Sequence, residues 1–152
     1  MVGVLEPAEI DDLLAGQKVA RLGCHAEGTT YVVPISYAYV DGLIIGQTTS
    51  GMKIDMMRAN PDVCLEVDEI QSLTDWQSAI VWGRFEELEG MAAVEAMDKL
   101  IDRFGPIFEE AYSRNRLGRS IAPDRPNQSP APAIVYAIHI MQKTGRFERP
   151  DA

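Results

Sequence analysis

The chain has little of what disulfide-rich or nucleic-acid-binding proteins need. Of its 152 residues only 2 are cysteines, and 14 lysines and arginines stand against 23 aspartates and glutamates, for a formal net charge of -9. Nucleic-acid binding depends on clustered basic residues that displace counterions, so this charge argues against a nucleic-acid partner. Any anion that the protein binds must be held by a local arrangement of groups.

Two cysteines are too few for a disulfide framework. Cys24 and Cys64 both lie inside apolar segments and not in loops. This placement is typical of buried thiols in a reducing compartment. A single bridge between the two cysteines is the alternative.

Long hydrophobic runs are also absent. The longest, such as Leu43–Ile45 and Ala79–Trp82, fall far short of the roughly 20 apolar residues that a bilayer-spanning helix needs. The N-terminus lacks the basic and then apolar pattern of a signal peptide. With 46% hydrophobic residues the chain can bury one core but not two. We therefore expect a single domain over residues 1–152, cytoplasmic, with no membrane partner.

The short motifs that would assign a reaction directly are missing. Neither G-x-G-x-x-G nor G-x-x-x-x-G-K-[ST] occurs, so the standard phosphate loops are absent. Cys24 and His25 are adjacent, and neighbouring side chains of a strand point to opposite faces, so they do not form a metal site. Ser36 has no nucleophile elbow around it. We predict no metal ligand, leave the catalytic residues unassigned, and interpret Glu66 and Asp68 as an exposed strand face.

What the chain does contain is a series of β-rich runs. β-Branched and aromatic residues concentrate in them, and one run alternates apolar and acidic residues as a half-buried strand does. Apolar residues at helical spacing predict helices over Glu6–Ala15 and Met91–Phe104, and the proline-rich segment Ser113–Pro132 is predicted to be a surface loop. The predicted strands are Val19–Cys24, Thr30–Val40, Leu43–Thr48, Pro61–Asp68, Trp76–Glu87 and Ala133–Met141.

The connections between these runs indicate their arrangement. Asp41-Gly42 stands between two β-rich runs and predicts a tight hairpin, since a type I′ turn needs positive φ at both central positions. Six strands, a short helix after the third strand and a longer helix late in the chain predict a mainly β fold. We expect an antiparallel barrel with helices outside it, followed by a polar tail, Gly145–Ala152.

The segment TTSGMKIDMMRANP, residues Thr48–Pro61, contains a candidate anion site. Ser50 or Thr49 is predicted to cap a short helix, which puts Lys53 in its first turn. The exposed N–H groups there carry partial positive charge, so a cation is mildly unfavourable unless an anion is bound. Backbone amides, the neighbouring hydroxyls and the Lys53 ammonium would together hold a phosphate. A solvated lysine after an ordinary cap is the alternative.

Four runs of the sequence resemble a known family: YVVPISYAYVDG, IIGQTTSGMKIDMMRANPDVCLEVDE, WQSAIVWGRFEELEG and TGRFERP. In order and spacing they are similar to the pyridoxamine 5′-phosphate oxidase-like flavin-binding split barrels, and among these to the branch of the 5-nitroimidazole resistance proteins. The resemblance covers Arg21–Glu89 and Ile134–Pro150. It implies a six-stranded antiparallel split barrel of the Greek-key type, which forms a homodimer and holds FMN at the dimer interface.

The resemblance also implies a set of cofactor contacts. Met52 stands where the family often has a second basic residue, so a single side-chain charge would hold the phosphate. Gln47 stands where the nitroimidazole branch tends to have a histidine. The implied FMN contacts are Thr48, Thr49, Ser50 and Lys53 for the phosphate, Gln47 beside them, Val33, Pro34, Ile35 and Ser36 for the ring, and Trp76 and Arg146 from the partner chain.

The function implied is that of a small FMN-dependent oxidoreductase in which the flavin transfers the hydride or electrons. Its substrate would be a small molecule, nitroaromatic or pyridoxamine-phosphate-like. Two alternatives stay open: a non-catalytic flavin-binding or storage module, and a haem-binding split barrel with a histidine near the C-terminus, for which His139 is the candidate. From the residues alone His139 is interpreted as a hydrogen-bonded structural histidine.

Overall fold

A computed structural model describes residues 1–105 and 133–151, which form a mainly β, antiparallel structure. The predicted fold class is confirmed, with eight strands in the described ranges where six were expected. The predicted loop Ser113–Pro132 lies outside the described residues. No helix in these ranges is long and apolar enough to cross a membrane. The elements are β1 Val2–Val4, α1 Pro7–Gly16, β2 Val19–Ala26, β3 Thr29–Ser36, β4 Ala38–Val40, β5 Leu43–Thr48, α2 Met52–Ala59, β6 Asp62–Ser72, β7 Asp75–Glu87, α3 Gly90–Phe104 and β8 Ile134–Glu148.

The sheet closes into a barrel that is split at one place. Its strand order is β3-β2-β6-β7-β8-β5-β4, and β1 pairs with β8. β3 and β5 lie in contact, but among the described residues no ladder joins them. Alternate residues of an edge strand direct their N–H and C=O groups away from their single partner strand. Two edges with unused backbone groups therefore face each other across the split.

Tyr37 divides what the sequence predicts as one strand, Thr30–Val40, into β3 and β4. Its backbone N–H donates to the Lys18 carbonyl at 3.1 Å, and its hydroxyl donates to the Leu14 carbonyl at 2.6 Å. The side chain is fully buried, and this burial raises the pKa of the hydroxyl. The prediction of one continuous strand was wrong because these bonds tie the chain to the end of α1 before it continues to pair with β5.

Two tight turns set the register of the hairpins. Asp41 and Gly42 have φ values of 51° and 76°, which confirms the predicted Asp-Gly hairpin. Glu27 and Gly28, with φ values of 52° and 77°, make the same kind of turn between β2 and β3. Both turns keep the flanking strands in direct antiparallel register.

The barrel interior is filled by alternate residues of its strands. In β6, Val63, Leu65 and Val67 are buried and the residues between them are not, as the alternation predicts. Leu14 of α1 and Met57 of α2 close the interior and are fully buried. Each such side chain contributes about 1.5 to 3 kcal/mol through its removal from water. A second cluster joins α3 to β5 and β8 through Ile45, Ala96, Met97, Leu100 and Val135.

The C-terminal residues belong to the sheet. The final strand is predicted as Ala133–Met141 with a polar tail after it, but β8 continues to Glu148 between β7 and β1. Gly145 and Phe147 are buried, while Arg146 between them is exposed. The prediction of a polar tail was wrong because the charged residues of this segment alternate with buried ones, as they do in a strand with one exposed face.

Candidate functional site

The start of α2 is a helix terminus without a side-chain cap. Its N-cap is Gly51, with an extended backbone of φ 171° and ψ -173°, and no side chain caps it. The predicted cap by Thr49 or Ser50 is therefore wrong, and both residues are exposed. Thr48 donates its hydroxyl to the Thr49 carbonyl at 3.2 Å instead. The first-turn N–H groups therefore present their partial positive charge without a cap acceptor.

Lys53 is the second residue of α2, in the first turn as predicted, and is half-buried. Among the described residues no carboxylate forms an ion pair with it. Burial raises the pKa of the nearby Cys24 thiol, and the Lys53 charge opposes that rise. Cys24 and Cys64 are both free thiols, as predicted, but only Cys24 is buried and Cys64 is half-buried. The Cys24 Sγ donates to the Tyr31 carbonyl at 3.7 Å. Within the described part of the chain, Lys53 therefore has no ion-pair partner.

The two segments predicted to hold FMN come together at the split. β4 pairs with β5 so that Ala38 lies opposite Ile45. This ladder does not continue into β3, but β3 and β5 lie in contact. The predicted residues of β3 and of the β5 end therefore border one gap.

The four predicted ring contacts do not face the same way. The Ile35 side chain is 7% exposed and belongs to the barrel core, and Val33 packs against that core. Pro34 and Ser36 are exposed on the opposite face. Ile35, being buried, is left with its backbone for contact with a flavin, which is the kind of contact that the resemblance implies.

Gln47 has a buried side-chain atom without a partner. It lies opposite Val135 at the end of β5. Its Oε1 atom is buried and accepts no hydrogen bond from any described residue. A buried polar atom left in this state costs about 1 to 3 kcal/mol. Gln47 is therefore a candidate acceptor for a donor group of a bound molecule.

Trp76 and Arg146 lie elsewhere in the protomer. Trp76 is opposite Glu148, and its Nε1–H donates to the Glu148 carboxylate at 3.1 Å. Arg146 is opposite Ser78 of β7. β8 also pairs with β5, but Thr48 lies opposite Ile134 at the start of β8, whereas Arg146 and the partner of Trp76, Glu148, lie at its far end. In one chain these residues do not join the Lys53 segment, so they could contact its flavin only from a second chain.

His139 is hydrogen-bonded, as predicted for a structural histidine. Its Nε2 lies 2.6 Å from the Glu86 Oε2 atom on β7. Both side chains are about half exposed, at 47% and 56%. Within the described ranges no group of three histidine, cysteine or acidic side chains could hold a metal ion.

A family model described as pyridoxamine 5′-phosphate oxidase matches residues 6–147, which is most of the chain. The protein belongs to the pyridoxamine 5′-phosphate oxidase family. Solved structures of this fold include a candidate member of the 5-nitroimidazole resistance branch that the sequence resembles.

An FAD-binding protein from Mesorhizobium loti is 31% identical to this family member, with a TM-score of 0.73 over 98% of this chain and 99% of that one. A candidate 5-nitroimidazole antibiotic resistance protein from Bacteroides thetaiotaomicron shares the fold, with a TM-score of 0.70 at 19% identity over 97% of this chain and 87% of that one. A Rhizobium meliloti protein is 38% identical over 87 residues. That match spans 57% of this chain and 58% of the curated relative.

This family member carries an acidic pair that is less solvated than its sequence predicts. Glu66 of β6 lies between Arg21 and Ile80 on the outer face of the sheet and is half-buried. Burial raises the pKa of Glu66 to about 7, the adjacent Asp68 adds to the rise, and Arg21 opposes it. The Glu66 Oε1 atom has no hydrogen-bond partner among the described residues. The alternation of a strand predicts on which face of the sheet a side chain lies. It does not predict how far side chains of neighbouring strands bury it.

Glu66 should make the stability of the protein depend on pH. Because its folded pKa, about 7, exceeds the ordinary 4.5, the folded state keeps a proton that the unfolded state loses. The free energy of unfolding therefore falls as pH rises from about 4.5 to about 7. Since the side chain is partly solvated, we expect a loss of about 1 kcal/mol.

Thermal unfolding of the wild type and Glu66→Gln between pH 4.5 and pH 8 measures this effect. The glutamine variant should lack the loss, and Glu95→Gln, a matched change on exposed α3, should keep it. Equal pH dependence in the wild type and Glu66→Gln would show that folding does not raise the pKa of Glu66.

Proposed function

We propose that this protein binds FMN in the split between β3 and β5 and acts as an FMN-dependent oxidoreductase. Two features support this most directly: the open edge of β3, which lies in contact with β5, and the uncapped start of α2 with Lys53, which follows β5 in the chain. A phosphate is the anion that suits a helix terminus, and the unpaired strand edge suits the polar edge of a planar ring. The FAD-binding relative from Mesorhizobium loti supports a flavin.

The residues of this chain have separate tasks in the proposed site. Lys53 and the first-turn amides of α2 would hold the phosphate, with Thr48, Thr49 and Ser50 alongside. The backbone of Val33–Ser36 would orient the ring. The Gln47 amide is neutral, so it can accept or donate a hydrogen bond but cannot take up a proton at neutral pH. The flavin supplies the redox chemistry when it is bound, and the protein binds, orients and shields it.

The choice of FMN follows from the charges present. One lysine and one helix terminus are enough to bind a single phosphate group. Met52, which is 59% exposed, stands beside Lys53 at the position where a second basic side chain could bind another phosphate. The substrate we propose is a small aromatic molecule, nitroaromatic or pyridoxamine-phosphate-like, with a nicotinamide cofactor as electron donor. The protein would act in the cytoplasm.

An absorbance spectrum of the purified protein and mass spectrometry of the molecule released on denaturation test the proposal. Flavin absorbance and the mass of FMN are expected. A Soret band that disappears in His139→Ala would show that the protein binds haem and not a flavin. Release of a molecule with the mass of FAD would show that the cofactor is FAD and not FMN. Turnover of NADH or NADPH with nitroaromatic acceptors separates an oxidoreductase from a flavin-storage module.

We also propose that the flavin site is completed by a second copy of the chain. Apolar side chains on the outer face of the sheet, near Trp76, are left in water: Val2 is 58% exposed, Val4 69% and Ile70 65%. Paired residues share a face, so these side chains lie on the same face as Trp76 and Arg146. A stable dimer buries about 1,600 Å² in total, and an apolar patch of this kind would lie at its centre.

Sedimentation of the purified protein should therefore show a homodimer. Val4→Asp should produce monomers and weaken FMN binding at least tenfold, because the partner residues leave the site. Met91→Asp, which adds the same charge to an exposed position of α3, should do neither. A wild-type monomer that binds FMN tightly would contradict the proposed interface.

A further inference from the structure

Tyr136 is a buried tyrosine whose hydroxyl has no hydrogen-bond partner among the described residues. Its side chain is 1% exposed, and burial raises the pKa of the hydroxyl. Two other tyrosines of the same core have partners. Tyr37 donates its hydroxyl to the Leu14 carbonyl at 2.6 Å. Tyr39 donates its hydroxyl to the Asp11 carboxylate at 2.9 Å. A buried tyrosine normally has such a partner, so the hydroxyl of Tyr136 needs a separate explanation.

The strand pairing places this hydroxyl beside the split. Tyr136 of β8 lies opposite Gly46 of β5, and a Cβ at Gly46 would collide with the Tyr136 hydroxyl oxygen. The ring therefore extends from β8 across the interior face of β5, and the glycine makes room for its end. β4 pairs with β5 only over Leu43–Ile45, so from Gly46 onward the second edge of β5 is open. The hydroxyl lies where β5 begins to border the split.

The ring of Tyr136 has a structural use that its hydroxyl does not share. The ring packs against Phe85 of β7, with 5.7 Å between the ring centroids, and it covers Gly46. An aromatic ring over a glycine of the neighbouring strand stabilises a sheet. A phenylalanine would make the same contacts without burying a polar group that lacks a partner, which is unfavourable. Packing therefore accounts for the ring and not for the hydroxyl.

The hydroxyl also lies near residues that are proposed to contact the flavin. Thr48, a proposed phosphate contact, is two residues beyond Gly46 on β5, and alternate residues of a strand share a face. Ile35, whose backbone is a proposed ring contact, belongs to the same buried cluster as Tyr136. A molecule that contacts both Thr48 and β3 therefore enters the part of the split where the hydroxyl lies.

We propose that the Tyr136 hydroxyl donates a hydrogen bond to the polar edge of a flavin bound in the split. This inference rests on the proposed function, since it requires a flavin at that place. A phenol stays protonated at neutral pH and can donate one hydrogen bond. The polar edge of the flavin ring accepts hydrogen bonds and becomes richer in electrons on reduction. The bond therefore stabilises reduced FMN more than oxidised FMN.

Tyr136→Phe tests the proposal because it removes the hydroxyl and keeps the ring. Fluorescence titration should show FMN binding weakened about 3- to 10-fold, as expected for one neutral hydrogen bond. The midpoint potential of bound FMN should fall, by about 30 mV if reduced FMN loses tenfold more affinity than oxidised FMN. The melting temperature of the flavin-free protein should stay the same or rise, because the hydroxyl has no described partner to lose.

Tyr39→Phe is the matched control, because its hydroxyl donates to Asp11 and is not part of the proposed site. This variant should lower the melting temperature of the flavin-free protein and leave the FMN affinity and midpoint potential unchanged. The two tyrosines should thus show opposite patterns, one in cofactor binding and the other in stability.

Two results would overturn the inference for Tyr136 while the proposed function stands. One is a Tyr136→Phe protein with the FMN affinity and midpoint potential of the wild type. The other is a flavin-free Tyr136→Phe protein with a clearly lower melting temperature, since its hydroxyl would then have a structural partner. A wild-type protein that does not bind FMN would refute the proposed function itself, and this inference with it.

Discussion

Lys53→Ala should weaken FMN binding about 10- to 150-fold and leave the chain folded. Hydrogen bonds to charged groups contribute about 1.5 to 3 kcal/mol, and that range gives the expected change in Kd. The charge matters here because the rest of the molecule is acidic and repels a phosphate. The fold should persist, since no described carboxylate depends on Lys53 as its ion-pair partner.

Fluorescence titration with FMN measures this loss, and thermal unfolding checks the fold. Lys99→Ala, an identical change at an exposed position of α3, is the matched control and should bind FMN as the wild type does. Lys53→Arg should retain most of the affinity because it keeps the charge. An FMN titration that is the same for Lys53→Ala and the wild type would remove this lysine from the site.

Gly83→Val should destabilise the protein by about 3 kcal/mol or more. Gly83 follows a register shift in the β7–β8 ladder, where the two strands come very close. A Cβ at this position would lie 2.5 Å from the His139 carbonyl oxygen and 2.7 Å from the Ile138 Cγ2 atom. Ile138 is fully buried and cannot move away, so the strands themselves would have to separate.

Urea unfolding gives the free-energy difference, and Gly23→Ala is the control. Both glycines lie in strands, but Gly23 has room for a Cβ, so its alanine variant should change stability by about 1 kcal/mol at most, in the stabilising direction. A stable Gly83→Val protein would mean that β7 and β8 can separate at Gly83 at little cost. A strongly destabilised Gly23→Ala would mean that the backbone of β6 leaves no room for a Cβ at Gly23.

Several elements could be predicted from the sequence because the information lies within a few residues. Asp41-Gly42 makes a tight turn because both positions adopt positive φ. β6 alternates because a strand places every second side chain on one face, as Leu65 and Glu66 show. Lys53 is in the first turn of α2 because the helix follows directly from the hydroxyl-rich segment.

Other elements could not be predicted because distant residues decide them. Tyr37 ends β3 because Lys18 and Leu14 accept its hydrogen bonds. The C-terminal strand continues to Phe147 and beyond because β1 and β7 both pair with it. Gly51 begins α2 because its extended backbone leads the chain from β5 into the helix, and no local pattern distinguishes it from Ser50 as the cap.

The sequence by itself determined the mainly β class, the hairpin turns, the acidic charge, the lysine at the start of α2 and the family resemblance. Only the tertiary structure decided that β3 and β5 lie in contact across the split and that Trp76 and Arg146 lie away from this gap. The physical reason is the distance along the chain over which each effect acts. Backbone preference and side-chain periodicity act between near neighbours, whereas a site is made by the packing of strands that are far apart in the chain.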